Sequence, residues 1–162
     1  MKIISDTGPI IALAKVDRLD LLKSLFERVT ISSIVHKELM SKFGEEWNAI
    51  ERALHDFIDV EICPSCPEKT KAVLEILDEG EQQTIALASS VQGDPLIIID
   101  DKKGREAARK LGLPVTGIVG VLLVANEKGL INDPLPLLRD IRSKGYWLSD
   151  ELLEEAKRLS RD

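Results

Sequence analysis

Five acidic residues carry the chemistry this sequence could do: Asp6, Glu38, Glu81 and the adjacent pair Asp100-Asp101. Two of these positions close apolar runs, Lys2-Ile3-Ile4-Ser5-Asp6 and Leu96-Ile97-Ile98-Ile99-Asp100-Asp101. The other two fall on helical faces where the pattern asks for a hydrophobe. Glu38 lies beside Ile34, Val35 and Leu39, and Glu81 shares the phase of Ile85 and Ala88. Carboxylates gathered this way repel one another unless a cation joins them. Oxygen ligands of this kind suit a divalent ion such as Mg2+ or Mn2+, and such an ion suits work on a phosphate ester.

Each position also has an ordinary reading. Asp6 could form an Asx-turn or begin a helix, and Glu38 could reach water or meet Lys42. Helix-dipole interactions explain Asp78 and Glu79 better than Glu81, because neither has the inward phase of Glu81. Asp100-Asp101 could be a cap plus a solvated acid. Thr7 offers a hydroxyl to a phosphate or caps a helix. Lys102, Arg105 and Arg109 share one face of a basic helix that could hold a nucleic-acid backbone, although a solvated charged face is the commoner outcome. Trp47, Tyr146 and Trp147 read as packing residues, since aromatics are only 4% of the chain. His36 and His55 lack a second ligand at metal spacing. Gly112, Gly117 and Gly120 do not have phosphate-loop spacing.

The elements that must position these acids follow from periodicity. Short apolar strands at residues 2–5, 29–31, 59–62, 96–99 and 114–116 are separated by helical patterns. The expected helices run from Pro9, with Gly8 as its cap, to Lys15, and over 17–25, 33–42, 47–57, 68–77, 81–91, 102–111 and 118–128. Ser32 or Ser33 caps the third, and Gly80 is expected to break the chain before Glu81. Strands that are continuously apolar and alternate with helices imply an α/β fold with a parallel sheet covered on both faces. Functional groups in such sheets gather at the carboxyl ends of the strands. Helical patterns at 133–143 and 149–160 read as an appended tail, so residues 1–162 form a single domain with 1–129 as its core and 130–162 as its helical extension.

With 162 residues, 44% apolar and 31% charged, the chain can bury a sizeable core. The net charge of −6 argues against a broadly basic nucleic-acid binder, so a phosphate-bearing substrate needs a metal, a local basic patch, or both. No leader or membrane span is expected, and a cytoplasmic location follows from that reading. Cys63-Pro64-Ser65-Cys66 is a lone CxxC, read as a turn in preference to a redox or zinc motif.

Taken in order, Ser5-Asp6-Thr7-Gly8-Pro9, Val35-His36-Lys37-Glu38-Leu39, Leu77-Asp78-Glu79-Gly80-Glu81 and Ile98-Ile99-Asp100-Asp101 resemble the PIN-domain nucleases. The stretches around Gly104-Arg105, Leu111 to Gly117 and Gly120-Val121-Leu122 resemble a prokaryotic branch related to the VapC-type toxins. That resemblance implies a three-layer αβα sandwich with strand order 3-2-1-4-5 and a metal-dependent ribonuclease. Asp6, Glu38, Glu81 and one of Asp100 and Asp101 would be its catalytic and metal-holding acids, and the resemblance leaves the choice within that pair open. Thr7 supplies the adjacent hydroxyl, and Lys102 and Arg105 would meet the RNA. The implied cofactor is Mg2+ or Mn2+, and the implied partners are RNA, a small antitoxin protein and a second copy of the chain in a homodimer. The competing reading is a non-catalytic PIN-like scaffold or regulatory partner.

Overall fold

The computed structural model describes residues 1–41 and 44–160. Its first half is built from β1 (Lys2–Ser5), α1 (Thr7–Lys15), α2 (Asp20–Phe26), β2 (Val29–Ser32), α3 (Ser33–Met40), α4 (Glu46–Leu54) and β3 (Ile58–Glu61). The second half adds α5 (Glu68–Leu74), α6 (Glu79–Ser90), β4 (Pro95–Ile98), α7 (Lys102–Lys110), β5 (Val115–Thr116), α8 (Ile118–Glu127), α9 (Pro134–Ser143) and α10 (Asp150–Leu159). The strands form one parallel sheet in the order β3-β2-β1-β4-β5. The chain therefore has the α/β sandwich architecture expected from the sequence.

Strand alternation explains why the sheet is covered twice. Ile3 and Ile98 enter one apolar cluster with α1, α3, α8 and α9, whereas Ile4, Ile97 and Ile99 enter another with α6 and α7. Successive isoleucines thus point to opposite faces, and each face has its own helical layer. Fully burying a side chain of this size contributes about 1.5–3 kcal/mol, so a polar substitution in either layer would be costly. Leu138, Ile141, Leu153 and Ala156 of α9 and α10 are buried in the first cluster. The C-terminal helices therefore share the core of the sheet's first face.

Three helix starts differ from expectation. Asp6, rather than Gly8, occupies the N-cap of α1, because Thr7 and Gly8 already have helical geometry ahead of Pro9. Gly80 lies inside the first turn of α6 instead of breaking the chain there, since Asp78 caps the helix and starts it two residues earlier than the hydrophobic phase suggests. The second helix begins at Asp20, after Asp17 turns the chain with φ +53°. At α3 the cap is Ser32, whose hydroxyl accepts the Val35 N–H at 3.1 Å. The expected end of that helix at Lys42, which was also a proposed partner for Glu38, falls outside the described residues.

Candidate functional site

The carboxyl ends of β1 and β4 adjoin, as their parallel register requires: the Asp6 N–H donates to the Ile98 carbonyl at 2.9 Å. Asp6 and Asp100 are consequently neighbours at the middle of the sheet edge. Asp6 has N-cap geometry but its side chain makes no cap hydrogen bond to α1. Its carboxyl is pushed up from 3.8 to about 7, first by burial and then by the charges of Asp78, Glu38 and Asp100, with a main-chain hydrogen bond from Thr7 opposing. Every charged neighbour that raises it is another acid.

Asp100 and Asp101, indistinguishable by spacing, divide in the fold. Asp101 is exposed and caps α7, its Oδ2 accepting the Gly104 N–H at 2.9 Å. Asp100 turns inward. Its Oδ1 accepts the Ile118 N–H at 2.7 Å, its Oδ2 accepts the Tyr146 hydroxyl, and Arg105 Nη1 donates to its main-chain carbonyl. Burial raises its carboxyl, and those three groups oppose the rise. Gly117 is needed here for close approach, because a Cβ at that position would lie 2.5 Å from Asp100 Oδ1.

Glu81 is 8% exposed at the start of α6. It forms a capping box with Asp78: Asp78 Oδ1 accepts the Glu81 N–H at 2.8 Å, and Glu81 Oε1 accepts the Asp78 N–H at 3.3 Å. Its other oxygen, Oε2, is buried without a hydrogen-bond partner. Burial and the adjacent carboxyls of Asp78 and Asp101 push the group up to about 9. A buried acceptor left unmatched costs free energy unless something fills the gap.

Glu38 stands behind these acids. Its Oε2 accepts the Thr7 hydroxyl at 2.8 Å, so Thr7 spends its donor on a carboxylate. Its Oε1 rests on α6, where a Cβ at Gly80 would come within 2.3 Å. Asp6, Asp78, Glu81, Asp100 and Asp101 line one cleft of about 720 Å³ with Lys102 and Arg105 at its side. Among the described residues, none of these acids, nor Glu38, has an ion pair within 4 Å, and no three acidic, histidine or cysteine side chains are spaced as a finished cation cage. The donor set is nevertheless all oxygen and partly desolvated, and its carboxyls are held toward the protonated form for want of a cation. That is the chemistry a hard divalent ion satisfies.

Two members of this constellation escaped sequence reasoning. The sequence reading gives Asp78 to the helix dipole, although the spacing Asp78-x-x-Glu81 is a legible capping-box signature. Tyr146 was read as packing, and its bond to Asp100 spans 46 residues, for which no local signal exists. Cys63 and Cys66 are free and half-buried, and they line a separate cavity of about 730 Å³ with α5 and α6. That cavity shares no lining residue with the acidic cleft.

A family profile described as a PIN domain matches residues 2–162. No curated protein matches the chain. Among the described residues, no helix is long and apolar enough to cross a membrane.

Proposed function

The chain belongs to the PIN-domain family, whose members are generally nucleases, and from that premise we propose that it is a metal-dependent ribonuclease hydrolysing RNA phosphodiesters. The observation that carries the reading is the set of desolvated carboxylates at the carboxyl edge of the sheet, none of them ion-paired within 4 Å among the described residues. Asp6, Glu81 and Asp100 would hold Mg2+ or Mn2+, with Asp101 and Glu38 completing the acidic surround. Such an ion, when bound, activates water and neutralises charge on the phosphate.

The chain's own groups supply orientation. Thr7 fixes Glu38 through its hydroxyl, and Gly80 lets that carboxylate lie against α6. Arg105, the Ile118 N–H and Tyr146 hold Asp100 in place and favour its charged form. Lys102, exposed at the side of the cleft, is the side chain available to meet an RNA phosphate, with the remaining donors of Arg105 beside it. A role as the toxin of a toxin–antitoxin pair, with a small antitoxin covering the acids, and a homodimeric state are compatible extensions of this reading.

The test is cleavage of structured and unstructured RNAs in Mg2+ and in Mn2+. Wild type is expected to cut and to stop in chelator, and Asp6→Asn is expected to lower the rate by about 100-fold or more. Equal residual activity in wild type, Asp6→Asn and chelated samples would leave the non-catalytic scaffold as the better account.

A further inference from the structure

The acidic cleft has a neutral, flat and very exposed side chain on its rim. Trp147 is 83% exposed, belongs to neither apolar cluster, and lines the same cleft as Asp6 and Lys102. Its position follows from its neighbours in the connection between α9 and α10. Tyr146 is drawn inward, its hydroxyl on Asp100 and against Gly8, where a Cβ would come within 2.7 Å. Leu148 is buried in the apolar core. With both flanking side chains fixed inside, the indole between them is presented to solvent on a pinned backbone. Exposing so large an apolar surface costs free energy that burial elsewhere could have recovered.

Charge explains what such a surface would be for. The cleft lining carries seven carboxylates against the two cations Lys102 and Arg105. An RNA strand gains little from phosphate contacts in that field, so affinity has to come from a group that the acids do not repel. The π-face of a base stacked on an indole is such a group, and it is open only in unpaired RNA. We propose that Trp147 is a stacking platform for an unpaired nucleobase, a substrate-positioning side chain on the rim of the cleft; this rests on the ribonuclease reading of the adjoining acids. Stacking of this kind tolerates every base, so the platform selects for strandedness over sequence.

The chain has two tryptophans, and the other, Trp47, packs against the core. In Trp47→Phe the fluorescence therefore reports Trp147 alone. Titration in Ca2+, which holds hydrolysis down, with a single-stranded oligoribonucleotide is expected to quench that emission, and a duplex of the same sequence is not. Trp147→Ala should weaken single-strand binding about tenfold or more. Log affinity should fall with log salt at a slope no steeper than about −1.4, as expected for two phosphate contacts on a single strand. Equal quenching by duplex, or unchanged affinity in Trp147→Ala, overturns the proposal. So does an emission change that depends on protein concentration without RNA, which would mean that a second copy covers the indole. Quenching without any cleavage would uphold the platform and sink the nuclease, whereas cleavage without quenching would do the reverse.

Discussion

Asp6 and Asp59 begin from the same intrinsic acidity and are moved in opposite directions. At the amino end of the β2–β3 pair, Asp59 accepts two hydrogen bonds from Arg28, at 2.8 and 2.7 Å, and the guanidinium holds its carboxyl below the usual range. Close by, Lys23 meets Asp56 at 2.8 Å. At the carboxyl edge of the sheet, Asp6 is raised to about 7, and the charges that raise it are those of other acids. Most of the ion pairs that the described residues form lie, like Arg28–Asp59 and Lys23–Asp56, between exposed side chains that need little help. Among the described residues, the buried acids of the cleft have no such pair, and Arg105 at their side donates to the main-chain carbonyl of Asp100 instead. On the proposed reading, that inversion leaves the carboxyl edge to be neutralised by a bound ion.

Asp6→Asn attacks the comparison most directly. An acid whose folded pKa is raised binds more protons folded than unfolded, so stability falls as pH rises between 3.8 and about 7. Metal-free wild type should thus melt higher at pH 5 than at pH 8, and Glu81 and Asp100 act in the same direction. Asp6→Asn should flatten that slope and raise the melting temperature at pH 8 while abolishing cleavage. Added Mn2+ should stabilise wild type at pH 8 and affect the variant much less. Calorimetry across this pH range decides it. An unchanged slope would mean that Asp6 is not held at a cost.

Gly80→Ala is expected to separate geometry from stability. Alanine gains up to about 1 kcal/mol of helix propensity, and the displaced Glu38 loses its hydrogen bond from Thr7, worth about as much. The melting temperature should move little, while cleavage falls by on the order of 10-fold to 100-fold because a carboxylate has been pushed aside. A stable, fully active variant would remove Glu38 from the site. The smallest effect is expected from Asp59→Asn, which should leave cleavage unchanged and shift the melting temperature only slightly, the pair being on the surface. A large loss of activity there would dissolve the distinction between the two ends of the sheet.

Much of the architecture was legible because it rests on local signals. Ile97, Ile98 and Ile99 announced a strand buried on both faces, and apolar spacing located the helices to within a few residues. Capping was less legible, since hydrophobic phase alone put the start of α6 at Glu81 when Asp78 and the glycine within the first turn set it earlier. Of the candidate acids, the fold brings Asp6, Glu81, Asp100 and Asp101 into one lining and leaves Glu38 behind them, against Thr7 and Gly80. What separates Asp100 from Asp101 could not be read locally. It depends on the Ile118 N–H, 18 residues on, and on Tyr146, 46 residues on. Trp147 was hidden for the same reason, because its exposure follows from where its two neighbours are tied.

The order β3-β2-β1-β4-β5 places the strand made first at the centre of the sheet, with β4 joining it only after two further crossovers, carrying α3 to α6, have been laid down beyond β2. On a ribosome, at about 5–20 residues per second, Asp6 therefore waits several seconds for Asp100, and Asp100 waits again for the hydroxyl of Tyr146. A nascent fragment that lacks residue 146 lacks the hydroxyl that Asp100 Oδ2 accepts. On the ribonuclease reading, Asp100 is braced on both carboxylate oxygens only once the turn bearing that tyrosine has cleared the exit tunnel.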